Sequence, residues 1–190
     1  DRQHRPRRVR VDRRVRRGSP AARGARLGGR GSRTDRARAE SDGAARGQVA
    51  RRGGDGIVQL FTNRLDAHAH PYYAGIAHLR VSSHFLIRRD GGLVQFVPCR
   101  LRAWHAGESR WRGAGCCNDF SIGIELEGCD DVAFAPPQYP VLARLIRILR
   151  QQHPIEDIAG HADIAPGRKT DPGPHFDWAQ LHRLLARGEA

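Results

Sequence analysis

The chain has 190 residues and a formal net charge of +13, with 33 Lys+Arg against 20 Asp+Glu. The excess sits at one end: residues 1–54 hold 18 arginines against five acidic residues, and residues 55–190 hold 15 basic and 15 acidic residues. The charge-neutral remainder argues against a nucleic-acid-binding surface there, no stretch approaches the ~20 apolar residues of a membrane helix, and four cysteines without C-x-x-C spacing point to reduced thiols, not to a disulfide framework or a cysteine zinc site.

Residues 1–53 lack Phe, Tyr and Trp and have few branched aliphatics. Such a stretch cannot bury enough apolar surface to offset its ordering entropy, and it reads as a disordered arm. Its arginines would attract phosphate groups, but no aromatic residues are interleaved to stack on bases. The N-terminus is charged and never opens into the apolar run of a signal peptide. Residues 54–190 are enough for one compact domain. Asp55 to Leu65 reads as a short helix. Ser82 to Arg88 and Leu93 to Val97 flank Arg89-Asp90-Gly91-Gly92, a hairpin signal. From Ser121 to Glu127, Ile122, Ile124 and Leu126 alternate with small or acidic residues, which predicts a strand with one polar face carrying both Glu125 and Glu127. Tyr139 to Gln151 has Val141, Leu142, Leu145, Ile148 and Leu149 at helical spacing, with Pro140 admissible only in the first turn. Asp177 is an N-cap for a last helix through Leu181, Leu184 and Leu185. The elements predict a mixed α/β domain.

One residue stands out chemically. Lys169 is the only lysine among the 33 basic residues. A compact ammonium in an otherwise arginine-only chain suggests selection for the amine. It lies in the Gly/Pro-rich segment Gly160-His161-Ala162-Asp163-Ile164-Ala165-Pro166-Gly167-Arg168-Lys169-Thr170-Asp171-Pro172-Gly173, with His161 and Asp171 offering the nitrogen and oxygen donors that zinc takes. This segment resembles the zinc-dependent N-acetylmuramoyl-L-alanine amidases, in particular the cytosolic branch that strips peptide from 1,6-anhydro-N-acetylmuramic acid during cell-wall recycling. The resemblance extends over Ile76-Ala77-His78-Leu79-Arg80-Val81-Ser82, His84-Phe85-Leu86-Ile87-Arg88-Arg89-Asp90-Gly91, Trp104-His105-Ala106-Gly107 and Cys117-Asn118-Asp119-Phe120-Ser121-Ile122-Gly123-Ile124-Glu125-Leu126-Glu127-Gly128. These blocks run in order across about positions 53–187.

The resemblance implies a central mixed β-sheet flanked by helices, one zinc ion, a muropeptide substrate, and a cytoplasmic monomer that binds neither nucleic acid nor membrane. It makes His161 and Asp171 zinc ligands and Glu125 the general base, with Glu127 the alternative that spacing alone leaves open. Lys169 would stabilise the oxyanion, and Arg80 and Asn118 would contact substrate. His105 would be a hydrogen-bonding or structural residue. Where members of the family carry an arginine for substrate, this chain has Cys116. The family also carries a buried strand ending in its first zinc-binding histidine, near position 43 here. No histidine lies between His4 and His68. Codons for Thr34-Asp35-Arg36, read one base later, permit Leu-Ile-Val, so residues 1–53 read either as a true divergent tail or as an out-of-frame stretch. His68, His70, His78 and His84 are the alternative source of donors. With one ligand missing, the competing reading is a module that binds muropeptide with little turnover.

Overall fold

A computed structural model describes residues 55–128 and 132–187. The arginine-rich stretch, position 43 and Cys129 lie outside the described residues. In chain order the elements are α1 (Gly56–Phe61), α2 (Pro71–Ile76), β1 (Phe85–Ile87), β2 (Leu93–Gln95), β3 (Arg110–Trp111), β4 (Ala114–Gly115), a 3₁₀ turn (Cys117–Asp119), β5 (Ile124–Leu126), α3 (Gln138–Gln152), α4 (His161–Ile164) and α5 (Trp178–Ala186).

The sheet is mixed, with order β2-β1-β5. β1 and β2 form the expected hairpin, with Phe85 opposite Gln95 and Ile87 opposite Leu93. Its turn is built by Asp90, whose Oδ1 accepts the Gly92 N–H at 2.8 Å, and by Gly91 at φ +89°, a conformation that favours glycine. β1 pairs with β5 in parallel, placing Leu86 opposite Glu125. All three β1 residues are buried, as a central strand covered on both faces requires.

α3 and α5 pack together over one face of this sheet. Their core joins Phe85 and Ile87 to Leu142, Leu145, Ile146 and Leu149 of α3 and to Leu181 and Leu185 of α5. Pro140 sits in the first turn of α3, where its missing N–H costs nothing. Asp177 caps α5 by accepting the Gln180 N–H at 2.7 Å. Gln138 opens α3 fully buried. Its Nε2 donates to the carbonyls of Ile87 and Glu127 at 3.1 and 3.0 Å, and its Oε1 accepts from Ala135 N at 2.8 Å. One amide thus ties the ends of β1 and β5 to the helix that covers them.

Behind the sheet, His84 plays the matching role. It is buried, its Nδ1 accepts the Gly123 N–H at 3.0 Å, and its Nε2 donates to Leu101 O at 3.0 Å. His105 stacks edge-on against it, with ring centroids 5.6 Å apart. Gly123 makes room: a Cβ there would fall 2.5 Å from His105 Cγ. Burial pulls the His105 pKa down to about 4, the charges of His84 and His161 add to the effect, and a backbone hydrogen bond at Ser121 opposes it.

The structure contains two elements that the sequence reading lacks. α2 was not predicted; Pro71 occupies its first turn and the His70 side chain caps it by accepting from Tyr72 N. The β3–β4 hairpin was also missed. Glu127, just past the end of β5 at Leu126, is buried, and its Oε2 accepts the Arg89 N–H at 3.0 Å.

Two stability predictions follow from these contacts. Gln138→Ala strips partners from buried backbone groups, each costing about 1–3 kcal/mol, so urea denaturation is expected to show a loss of about 3 kcal/mol. His105 stays neutral in the folded state down to about pH 4, while an unfolded histidine takes its proton near pH 6.5. Its contribution is therefore present at neutral pH and lost as pH falls from about 6.5 to 4, by roughly 3 kcal/mol. Unfolding free energy measured at pH 7, 5.5 and 4.5 is expected to fall more steeply for the wild-type chain than for His105→Gln.

Candidate active site

The segment from Gly160 to Gly173 folds back on itself. Ala162 N donates to Asp171 O at 2.8 Å, and Gly160 N donates to Asp163 Oδ2 at 2.7 Å. A Cβ at Gly160 would lie 2.6 Å from Pro172 Cδ, so the close approach of the two arms depends on glycine there. His161 opens the single-turn helix α4, not the irregular loop read from sequence. The fold-back brings His161 Nδ1 to 3.0 Å from Asp171 Oδ2.

The opposite ring nitrogen decides what that contact means. His161 Nε2 lies 3.0 Å from Ala106 O. A carbonyl only accepts, so Nε2 carries the proton. In the neutral ring Nδ1 is then a bare lone pair facing a carboxylate oxygen. Two acceptors hold this distance only with a proton or a cation between them. Donor atoms sharing one tetrahedral zinc sit roughly 3.3 Å apart, so the pair suits two positions of such a site. Burial works to raise the Asp171 pKa, but the His161 hydrogen bond, the charges of His161 and Lys169, and a backbone N–H outweigh it and hold the carboxyl below its ordinary value. The Lys169 ammonium therefore bears on Asp171.

The ring is set in a frame of loop contacts. Asn118, 6 % exposed, accepts the N–H groups of His105 and Ala106 on its Oδ1, at 3.0 and 2.8 Å. Its carboxamide oxygen is committed to the backbone, which makes it a support of the Ala106 loop in this geometry. Arg168 braces the same loop from the other side, donating to Ala106 O at 2.7 Å and to Glu108 O at 2.6 and 3.1 Å. Sequence reading passed over Arg168 as one of many arginines; its place beside the lone lysine was the available signal.

His161 and Asp171 line a cavity of about 560 Å³ together with Glu125 and His105. Five consecutive residues, Ile122 to Leu126, line it as well. Successive side chains of a strand point to opposite faces, so the cavity runs along the edge of β5. Its apolar floor comes from Leu142, Ile146 and Leu149 of α3 and from Leu181 of α5. At the rim, Asp157 holds the β3–β4 hairpin, accepting from Trp111 Nε1 at 3.0 Å and pairing with Arg112 at 2.7 Å.

Arg80 is not brought to this cavity. It lines a separate hollow of about 500 Å³ with Asn63 and Trp104, its NH1 3.4 Å from Asn63 Oδ1, and Arg102 lies 3.9 Å over the Trp104 ring. The other histidines do not gather either. His70 caps α2, His84 is committed to Gly123 and Leu101, and His68 and His78 are exposed. Among the described residues no group of three or more His, Cys, Asp or Glu side chains is disposed to hold a metal ion. The described part of the site offers zinc two donors, not the three protein ligands of a catalytic centre.

Residues 56–174 match the family model described as N-acetylmuramoyl-L-alanine amidase. The chain is 56 % identical over 137 residues to the 1,6-anhydro-N-acetylmuramyl-L-alanine amidase AmpD of Escherichia coli K12, covering 71 % of this chain and 75 % of that protein. Against AmpD of Citrobacter freundii it is 56 % identical over 135 residues, covering 70 % and 72 %. Among solved structures, a crystal structure of a selenomethionine AmpD derivative superposes with TM-score 0.69 at 56 % identity, covering 70 % of this chain and 75 % of that one. E. coli AmiD, in complex with anhydro-N-acetylmuramic acid-L-Ala-D-γ-Glu-L-Lys, superposes with TM-score 0.53 at 39 % identity, covering 60 % and 51 %. The chain belongs to the N-acetylmuramoyl-L-alanine amidase family.

Proposed function

We propose that this chain hydrolyses the amide between the lactyl group of 1,6-anhydro-N-acetylmuramic acid and the L-alanine of its stem peptide, in cytoplasmic recycling of peptidoglycan. The observation that carries the reading is the convergence of Glu125, His161 and Asp171 on one cavity, with the His161–Asp171 contact at 3.0 Å. The substrates named for AmpD and AmiD support it.

The roles divide by chemistry. Glu125 accepts a proton from the attacking water and passes it to the departing L-alanine nitrogen. The burial of Glu127 and its bond to Arg89 N favour Glu125 over it for that role. Lys169 supplies the cation that meets the developing oxyanion. Arg80, in the hollow beside Trp104, receives a carboxylate of the stem peptide through its guanidinium. Asn118 serves substrate indirectly, by holding the Ala106 loop. Zinc is the ion that the His161–Asp171 pair suits, but two donors retain it weakly. This favours a second reading in which the chain binds muropeptide and turns it over slowly.

Glu125→Gln is expected to lower kcat by about 10²–10⁴-fold with zinc content unchanged, measured by chromatographic release of stem peptide from anhydro-muropeptide. An equal loss in Glu127→Gln would overturn the assignment. Atomic absorption on the purified 190-residue chain is expected to give well under one zinc per chain, and His161→Ala to remove the remainder. Stoichiometric zinc in the unmodified chain would show that another residue supplies a third bond.

A further inference from the structure

We propose that Ser83 and His84 are positioning residues for Glu125. They grip both backbone polar groups of Gly123 and so set the height at which β5 presents its carboxylate to the cavity. The inference rests on the reading of Glu125 as the general base, and its test has a readout besides activity.

Glu125 lies two residues after Gly123, and β5 is only Ile124–Leu126. In so short a strand the entry residue decides where the middle one falls. The ladder between β1 and β5 sends Phe85 N to Gly123 O at 3.2 Å and, at the far end, Glu127 N to Ile87 O at 2.9 Å. Continued one step back, this parallel pattern would give the Gly123 N–H to Ser83 O. The His84 imidazole takes it instead, on Nδ1 at 3.0 Å. Ser83 Oγ turns to the other end of Gly123, donating to its carbonyl at 2.9 Å and lying 3.2 Å from Phe85 O. His84 N arrives at the same Gly123 carbonyl at 3.2 Å.

The gripping residue is itself fixed. His84 is 1 % exposed. The Gly123 N–H only donates, so Nδ1 carries no proton; Leu101 O, 3.0 Å from Nε2, only accepts, so Nε2 carries it. The two partners demand the same tautomer. The His84 carbonyl accepts from Phe96 N at 2.9 Å. Every polar group of the residue is thus committed, to Gly123 on one side and to Phe96 and Leu101 on the other.

Gly123 has no slack on its remaining side, since a Cβ there would fall 2.5 Å from His105 Cγ. Neither Ser83 nor His84 lines the cavity that Glu125 lines, so both act through Gly123. A one-residue slip would turn Glu125 to the opposite face of β5, and a misplacement of about 1 Å can already cost ~10²-fold in rate.

The two ring nitrogens can be replaced one at a time. His84→Asn keeps an acceptor near the place of Nδ1 and drops the donor to Leu101; His84→Gln keeps a donor near the place of Nε2 and drops the acceptor for Gly123. Ser83→Ala removes the hydroxyl and leaves the imidazole. The full chain and these variants are compared by hydrolysis of anhydro-muropeptide in zinc-supplied buffer, by zinc content, and by NMR hydrogen exchange at the Gly123 and Glu127 amides. His84→Gln is expected to lower kcat about 10²-fold with KM nearly unchanged, the pattern of an interaction made only in the transition state. Exchange at Gly123 is expected to quicken, while exchange at Glu127 and zinc content match the wild-type chain. His84→Asn is expected to keep most of kcat and of the Gly123 protection, although it loses the Leu101 bond. Ser83→Ala is expected to move kcat and Gly123 exchange in the same direction as His84→Gln but less, and it carries the test if His84→Gln does not fold. Equal losses in the Asn and Gln variants, or wild-type kcat and Gly123 exchange in Ser83→Ala, would overturn the proposal. So would loss of zinc in either His84 variant. Faster Gly123 exchange in His84→Gln beside a Glu125→Gln variant as active as the wild-type chain would uphold the grip on β5 and sink the general-base reading instead.

Discussion

The site is organised around two acceptors held where they cannot stay alone. His161 Nδ1 and Asp171 Oδ2 are 3.0 Å apart, and Ala106 O claims the proton on the other ring nitrogen. Something positive has to lie between them. The surrounding structure can be ordered by its distance from that demand. The Gly160–Gly173 fold-back brings the two residues together through Ala162 N and Asp171 O. Asn118 and Arg168 hold the Ala106 loop that orients the ring. Behind them, His105 packs on Gly123 with its Nε2 buried and lacking a hydrogen-bond partner among the described residues. A buried neutral imidazole next to His84 and His161 resists a charge of its own.

The same constraint meets a second one at β5. Parallel pairing with β1 fixes the height of Glu125 opposite Leu86, which delivers a carboxylate to the cavity. The other edge of β5 has no strand partner among the described residues, and aliphatic side chains of α3 and α5 line the trough beside it. The trough and the donor pair belong to one cavity.

What was legible in the sequence follows from how local each signal is. The β1–β2 hairpin was readable because Asp90 and Gly91 build the turn within four residues. The cap of α5 was readable because Asp177 acts three residues away. The pairing of His161 with Asp171 came from a family motif, since no local rule predicts that a ten-residue segment folds back so tightly. α2 escaped because six residues give too few turns for a periodic pattern, and its cap is a histidine nitrogen. The β3–β4 hairpin escaped because its strands are two residues long and Asp157, 46 residues away from Trp111, secures it. The commitment of Glu127 escaped because its partner, Arg89 N, lies 38 residues away.

Arg168 and Lys169 show why adjacent cations are not redundant. The arginine occupies two carbonyls with a planar fork, a task that fixes geometry and leaves its charge spread over the loop. The lysine carries a compact charge that acts on Asp171, where a developing negative charge would also be met. If the two exchanged places, the carbonyls of Ala106 and Glu108 would meet a single ammonium, and Asp171 would meet a delocalised charge in place of a compact one. In a chain that uses arginine for every other basic position, the one lysine stands where shape matters less than concentrated charge.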